Sequence, residues 1–302
     1  MNDRNGKAIF MSMRSPRGVE RRALAAGLVS ISLLLLSPIA EAQEKWLSVP
    51  PTPELPLQVS GGHVDRKDAL LWYATYGDDT KPAVLLLHGG GGSSDYWGHL
   101  VRDLMRDYRV VVFDCRGQGR STNEAVAISY TQMADDAVAV LNQLEIKQTS
   151  VVGWSDGANI GFYLALKHPQ RISALVAFAG NARPDGYQPN QNPAAMNVYM
   201  AATNAEYRKL SPHPDQRART MRLLGAMWKT QPVLSAADLG AIRVRTAILH
   251  AEHDEIIRRS HAAEIAKHIL GARFVLLRGV SHFALLQDPE GFNKTVRAYL
   301  SR

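Results

Sequence analysis

A single cysteine, Cys115, stands among the 302 residues, so no disulfide can form within the chain and burial alone must hold it together. Cys115 directly follows an apolar run and reads most simply as a small core residue. The glycine run Gly89–Gly92 lacks the Gly-Lys-Ser/Thr that a phosphate-binding loop requires, which excludes that reading. Basic residues are scattered, without interleaved aromatics, so the formal net charge of +7 does not point to a nucleic-acid partner. His250, Glu252, His253 and Asp254 cluster, yet they match neither zinc spacing nor a helical pair of histidines, and no metal or other cofactor is expected. There is no internal repeat.

What is present is enough apolar material, 46% of residues, to build one large domain or two small ones. The first 42 residues differ from the rest. A basic stretch is followed by "ALAAGLVSISLLLLSPIA" and then by Ala40-Glu41-Ala42, the small-x-small pattern of a signal peptidase site. This predicts a cleaved signal over 1–42, a mature chain starting at Gln43, and a periplasmic or secreted protein. A retained membrane anchor is disfavoured, because the run contains Ser30, Ser32, Ser37 and Pro38 and has no basic stop-transfer flank. Membrane contact is therefore expected only through the signal. Arg21 and Arg22 fit a twin-arginine motif poorly, and the export route stays open.

The remainder alternates strand and helix. Apolar or β-branched runs at 70–76, 83–87, 109–114, 149–154, 173–179, 246–250 and 274–278 predict strands, several of them buried on both faces. Helical patterns lie between them, including 131–146, where Met133, Ala137, Val140 and Leu144 share one face, and 158–169, which stops at Pro169. Such alternation predicts an α/β fold with a mostly parallel sheet covered on both sides. Residues 187–240 break the rhythm, with helical pieces and no convincing strand.

At "VVGWSDGANIG" a predicted strand ends and a helix begins, with Ser155 between Gly153 and Gly157. A serine on a sharp strand-to-helix turn stands clear of the sheet, and the tight turn leaves no room for a Cβ at either flank. His88 and the four glycines after it end another strand, where backbone amides can face a developing oxyanion; Gly90 and Asp156 are the candidate donors. Asp254 lies just beyond a strand, where a carboxylate can orient an imidazole, and His282 lies in a short loop after the last strand. Asp185 competes for the acid, and His250 and His253 compete for the base. Those two histidines sit too near Asp254 in sequence to reach the serine easily.

The order Ser155, Asp254, His282 is that of α/β-hydrolases, and "FDCRGQGRS" looks like the D-x-R-G-x-G-x-S turn of their simpler members. From about residue 54 onward the chain resembles the α/β-hydrolase fold family. "GWSDG" with "HP" shortly after is similar to its valacyclovir-hydrolase (biphenyl-hydrolase-like) and small-ester-hydrolase branches. The resemblance implies an eight-stranded sheet, a helical cap at about 187–240, and cofactor-free hydrolysis of a small-molecule ester. Two rivals share the fold: a cofactor-free haloperoxidase or perhydrolase, and a non-catalytic binding protein. Trp154 and Asp156 are candidate substrate contacts. Asp156 would either meet the positive end of its helix or, as the resemblance implies, select substrates bearing an ammonium group. Met196, Tyr199, Met200, Tyr207, Met221, Met227 and Trp228 either line a pocket or form the core of the cap itself. Oligomeric state is not legible.

Overall fold

The structure is a computed structural model that describes residues 44–301; the expected signal at 1–42 lies outside the described residues. In chain order the strands are β1 (Ser60–Arg66), β2 (Ala69–Tyr76), β3 (Ala83–Leu87), β4 (Arg109–Phe113), β5 (Thr149–Trp154), β6 (Ile172–Phe178), β7 (Arg245–Ala251) and β8 (Arg273–Leu277). The α-helices are α1 (Gly98–Leu104), α2 (Tyr130–Gln143), α3 (Asp156–Lys167), α4 (Pro193–Leu210), α5 (Arg217–Thr230), α6 (Ala236–Ala241), α7 (Arg259–His268), α8 (Ala284–Gln287) and α9 (Pro289–Leu300). The strands form one eight-stranded sheet in the order β1-β2-β4-β3-β5-β6-β7-β8. It is parallel from β4 through β8, and β1 and β2 join one edge in antiparallel pairing. This is the alpha/beta hydrolase fold.

The near-continuous apolar runs make sense once both faces are covered, because alternate residues then enter different cores. Leu85 and Leu87 of β3, Val111 and Phe113 of β4, and Leu175 and Ala177 of β6 point to one side, where α2, α3 and α7 pack. Val84, Leu86, Val110, Val112, Val176 and Phe178 point to the other, against α1 and α9. Each fully buried aliphatic side chain of this kind contributes about 1.5–3 kcal/mol. Strand β1 is the one the sequence pattern does not announce. It opens on Ser60, Gly61 and Gly62, buries only Val64, and is held as an edge by its ladder to β2.

The chain inserts α4, α5 and α6 between β6 and β7. Asn192 caps α4 by accepting from the Ala195 amide, with Pro193 at the first helical position. Ser235 and Asp238 form a capping box on α6. Met221, Leu224, Met227, Trp228 and Leu239 pack against the core on the α3 side, so the insertion is anchored to the sheet layer rather than standing apart.

Candidate active site

Ser155 follows β5 directly and takes φ 55° and ψ −116°, a conformation that costs a non-glycine residue about 1–3 kcal/mol. Its amide donates to the Phe178 carbonyl at 2.9 Å, and its carbonyl accepts from the amides of Ala158 at 2.9 Å and Asn159 at 3.1 Å. The turn is therefore locked at both ends. A Cβ on Gly153 would lie 2.3 Å from the Gly157 carbonyl oxygen, and one on Gly157 would lie 1.9 Å from the Leu87 carbonyl oxygen. Glycine at both flanks is what lets α3 start this close to β3.

Asp254 sits three residues past β7, and its Oδ1 accepts from the amides of Ile256 at 3.0 Å and Ile257 at 2.9 Å. His282, five residues past β8, places Nδ1 at 3.1 Å from both carboxylate oxygens. An ionised carboxylate can only accept, so Nδ1 carries the proton and Nε2 keeps a free lone pair. Burial by itself would lower the His282 pKa, but the charge and hydrogen bond of Asp254, with Glu255 and Asp156 nearby, raise it above the ordinary 6.5. Burial pushes Asp254 the other way from its imidazole partner, and the partner wins, leaving the acid below its ordinary value. The His282 backbone is gripped on both sides. Its amide donates to Glu255 Oε2 at 3.0 Å, and its carbonyl accepts from the Trp154 indole at 2.9 Å. Among the described residues no hydrogen bond joins Ser155 Oγ to His282, although both line one cavity; such contacts commonly tighten only with substrate bound.

The glycine loop after β3 is pinned from several directions. The Gly89 carbonyl accepts from the Gly92 amide at 3.2 Å and lies 2.8 Å from His88 Nδ1, while His88 Nε2 accepts from the Cys115 amide at 3.0 Å. These partners fix the proton of buried His88 on Nδ1. The Gly91 amide donates to Gln118 Oε1 at 2.6 Å. Gln118 belongs to the turn 114–121, which is organised by Asp114: its carboxylate accepts from the amides of Ser94 at 2.7 Å and Arg120 at 2.8 Å. From the insertion, the Tyr199 hydroxyl donates to the Gly90 carbonyl at 2.9 Å and Arg217 Nη1 donates to the Gly91 carbonyl at 2.9 Å. The Gly90 and Asp156 amides have no acceptor among the described residues.

The Asp156 side chain does not merely cap its helix. Tyr130 Oη donates to Oδ1 at 2.6 Å, and Trp228 Nε1 reaches Oδ1 at 3.0 Å and Oδ2 at 2.9 Å. Burial raises its pKa, against the pull of these donors. The carboxylate packs over Gly90, where an added Cβ would come within 2.3 Å of Oδ2.

Ser155, Asp156, Gly90 and His282 face a cavity of about 630 Å³ walled by Tyr187, Met196, Met200, Trp228, Ile256 and Phe283. The cap aromatics and methionines thus divide: Met196, Tyr199, Met200 and Trp228 line the cavity, while Tyr207 and Met227 are buried away from it. Trp154 reaches the cavity but is 1% exposed, and its indole is spent on His282. None of the competing candidates lines the cavity. Asp185 pairs with Arg183 at 3.2 Å, His253 stacks on Trp46 with ring centroids 4.4 Å apart, and His250 Nδ1 is 4.0 Å from Asp254. No cluster that could hold a metal ion occurs among the described residues. Sequence reasoning missed Tyr130, Gln118, Arg217 and Glu255. Gln118, inside the FDCRGQGRS turn, and Glu255, adjacent to Asp254, offered a positional hint.

A family model described as the alpha/beta hydrolase fold matches residues 82–223. A protein from Caulobacter sp. (strain K31), named as a carbamate hydrolase, RutD, is 27% identical over 251 residues, spanning 73% of this chain and 91% of its own. The solved structure of a hydrolase from Pseudomonas aeruginosa PA01 is similar with a TM-score of 0.65 and 25% identity, covering 81% of this chain and 99% of that one. An enol-lactonase from Burkholderia xenovorans LB400 shares the fold, with a TM-score of 0.64 and 21% identity over 80% of this chain and all of that one.

Proposed function

We propose, from the alpha/beta hydrolase fold and the site geometry, that this chain is a serine hydrolase that cleaves carboxylic esters of small, largely apolar molecules. One observation carries the reading: the strained Ser155 and the imidazole of His282, whose Nδ1 is held by Asp254, face the same apolar cavity. Ser155 Oγ attacks the ester carbonyl carbon and its proton passes to His282 Nε2. Asp254 holds the imidazole and balances its positive charge. The amides of Gly90 and Asp156 donate to the tetrahedral oxyanion. As that intermediate collapses, the carbon–oxygen bond to the alcohol breaks and His282 returns the proton to the leaving oxygen. Water then attacks the acyl-enzyme, giving up a proton to His282, and the acid leaves as Ser155 is regenerated.

The walls of the cavity favour an uncharged substrate. Removing apolar surface from water supplies about 25 cal/mol per Å², whereas an isolated charge would be desolvated against methionine and aromatic side chains. A carbamate is the second reading, supported by the relatives named for that activity; its carbonyl is open to the same attack. Export is proposed on the leader alone, with the processed chain starting at Gln43. The test of the activity is fluorophosphonate labelling of the wild-type protein with Ser155→Ala as control, followed by a panel of p-nitrophenyl esters, lactones and carbamates. Labelling that persists in Ser155→Ala would overturn the mechanism.

A further inference from the structure

Three side chains of the helical insertion make hydrogen bonds that meet at one feature of the catalytic layer. Tyr199 of α4 donates to the Gly90 carbonyl and Arg217 of α5 donates to the Gly91 carbonyl, each at 2.9 Å. Trp228 of α5 donates to the Asp156 carboxylate. Gly90 and Asp156 are the two residues whose amides would bind the oxyanion. We propose that Tyr199, seconded by Arg217, is a positioning residue for the oxyanion hole, so that seating of the insertion on the glycine loop, together with Gln118, aims the Gly90 amide at the reacting carbonyl. This inference rests on the ester-hydrolase reading.

Four consecutive glycines give a loop with little intrinsic preference, in which each peptide unit can rotate at small steric cost. A trans peptide is planar, with its carbonyl and amide pointing in opposite directions, so holding one end of a unit fixes the direction of the other. The unit between Gly90 and Gly91 is held at both ends, by Tyr199 at its carbonyl and by Gln118 at its amide. Rotating it would break both bonds together. That unit shares the Gly90 α-carbon with the unit that carries the Gly90 amide, so its orientation limits where that amide can turn.

Tyr199 is suited to the task because it is itself rigid. It is buried, and its ring lies against Tyr96, Trp154 and Phe283 with centroid distances of 5.6, 5.9 and 5.2 Å. Arg217 is fixed in a comparable way. Its Nε donates to Asn204 Oδ1 at 2.8 Å and its Nη2 to Thr203 Oγ1 at 2.9 Å, so α4 and α5 bear on the loop as one unit. Neither residue need touch the substrate for this role.

An oxyanion donor acts on charge that exists only in the transition state, so misaiming it lowers kcat and leaves substrate binding alone. The decisive variant is Tyr199→Phe, which keeps the ring packing and removes only the hydroxyl. The expected result is a fall in kcat of about tenfold to a hundredfold with KM within about twofold. Affinity for a trifluoromethyl ketone, whose hemiketal oxygen occupies the hole, should weaken in parallel. Unchanged kcat and ketone affinity, or a change confined to KM, would overturn the proposal; the latter would make Tyr199 a substrate contact. If Tyr199→Phe does not fold, Arg217→Lys, which retains one donor for the Gly91 carbonyl, is compared with Arg217→Ala on the same measurements. Partial recovery of kcat and ketone affinity in the lysine variant supports the proposal, and equal values in the two variants refute it. The parent reading is tested separately in the wild type. If Ser155 is not labelled and no ester turns over, that reading fails, whereas an active wild type with indifferent variants refutes only the positioning role.

Discussion

The indole of Trp228 donates to both oxygens of the Asp156 carboxylate, at 3.0 and 2.9 Å, and thereby joins the helical insertion to the residue after Ser155. With the Tyr130 hydroxyl also bound, this carboxylate is already engaged by protein donors. Asp156→Asn turns one acceptor oxygen into a donor facing donors, at a cost of about 1–3 kcal/mol. The specificity constants for aminoacyl and neutral acyl esters should therefore fall together, by about tenfold. A loss restricted to aminoacyl esters would instead make Asp156 a counter-ion for a substrate ammonium group.

Ser155 is predicted to oppose stability in the service of its position. Ser155→Gly should raise the melting temperature, because glycine accepts φ 55° and the relief is about 1 kcal/mol, while hydrolysis is lost. Ser155→Ala should lose hydrolysis without that gain. Thermal melts of the two variants beside the wild type check this, and a Gly variant no more stable than Ala would mean the turn is unstrained.

Activity should fall as pH drops through the His282 ionisation, because only the neutral imidazole can take the serine proton. Since Asp254, Glu255 and Asp156 raise that pKa against burial, the midpoint in kcat/KM should lie above 6.5. Glu255→Gln keeps an acceptor for the His282 amide but removes one of these charges, so the midpoint should move to lower pH. A profile flat between about pH 5 and 8 would rule out His282 as the base. An unmoved midpoint in Glu255→Gln would mean that Glu255 is carried as the neutral acid.

Gly90→Ala places a methyl group 2.3 Å from Asp156 Oδ2 and 2.6 Å from the Trp228 ring. The expected result is a loss of kcat of at least about a hundredfold, since an oxyanion donor and its neighbour are displaced together. Stopped-flow acylation by p-nitrophenyl acetate measures it, and a burst at the wild-type rate would show that Gly90 is not in the hole.

Much of this molecule is legible in the sequence because strand-end chemistry is local. Gly153 and Gly157 announce a turn with no room for a Cβ at either flank of Ser155, and the double-sided burial of the sheet writes runs such as 83–87 and 109–113 directly into composition. Asp254 and His282 follow from their places just past strands. Strand β1 escapes notice because an edge strand with one buried residue carries no periodic signal. Tyr130, Tyr199, Arg217 and Trp228 reach the site from remote parts of the chain, through helix placement that local pattern does not encode. Asp156 shows the limit well: its sequence neighbours suggest helix electrostatics, while its actual partners are 26 and 72 positions away.

The pairing of Leu87 with Gly153, Trp154 with Phe178, Phe178 with Leu249 and Ala251 with Leu277 fixes how the ends of β3, β5, β6, β7 and β8 line up. A slip of one residue in any of these ladders would displace a strand end by about 3.3 Å and turn its side chains to the opposite face. Turnover is thus a register gauge for the whole parallel sheet. In a refolding experiment, return of helix and strand signals without return of hydrolysis would mark chains whose strand ends or helical insertion are not yet in place.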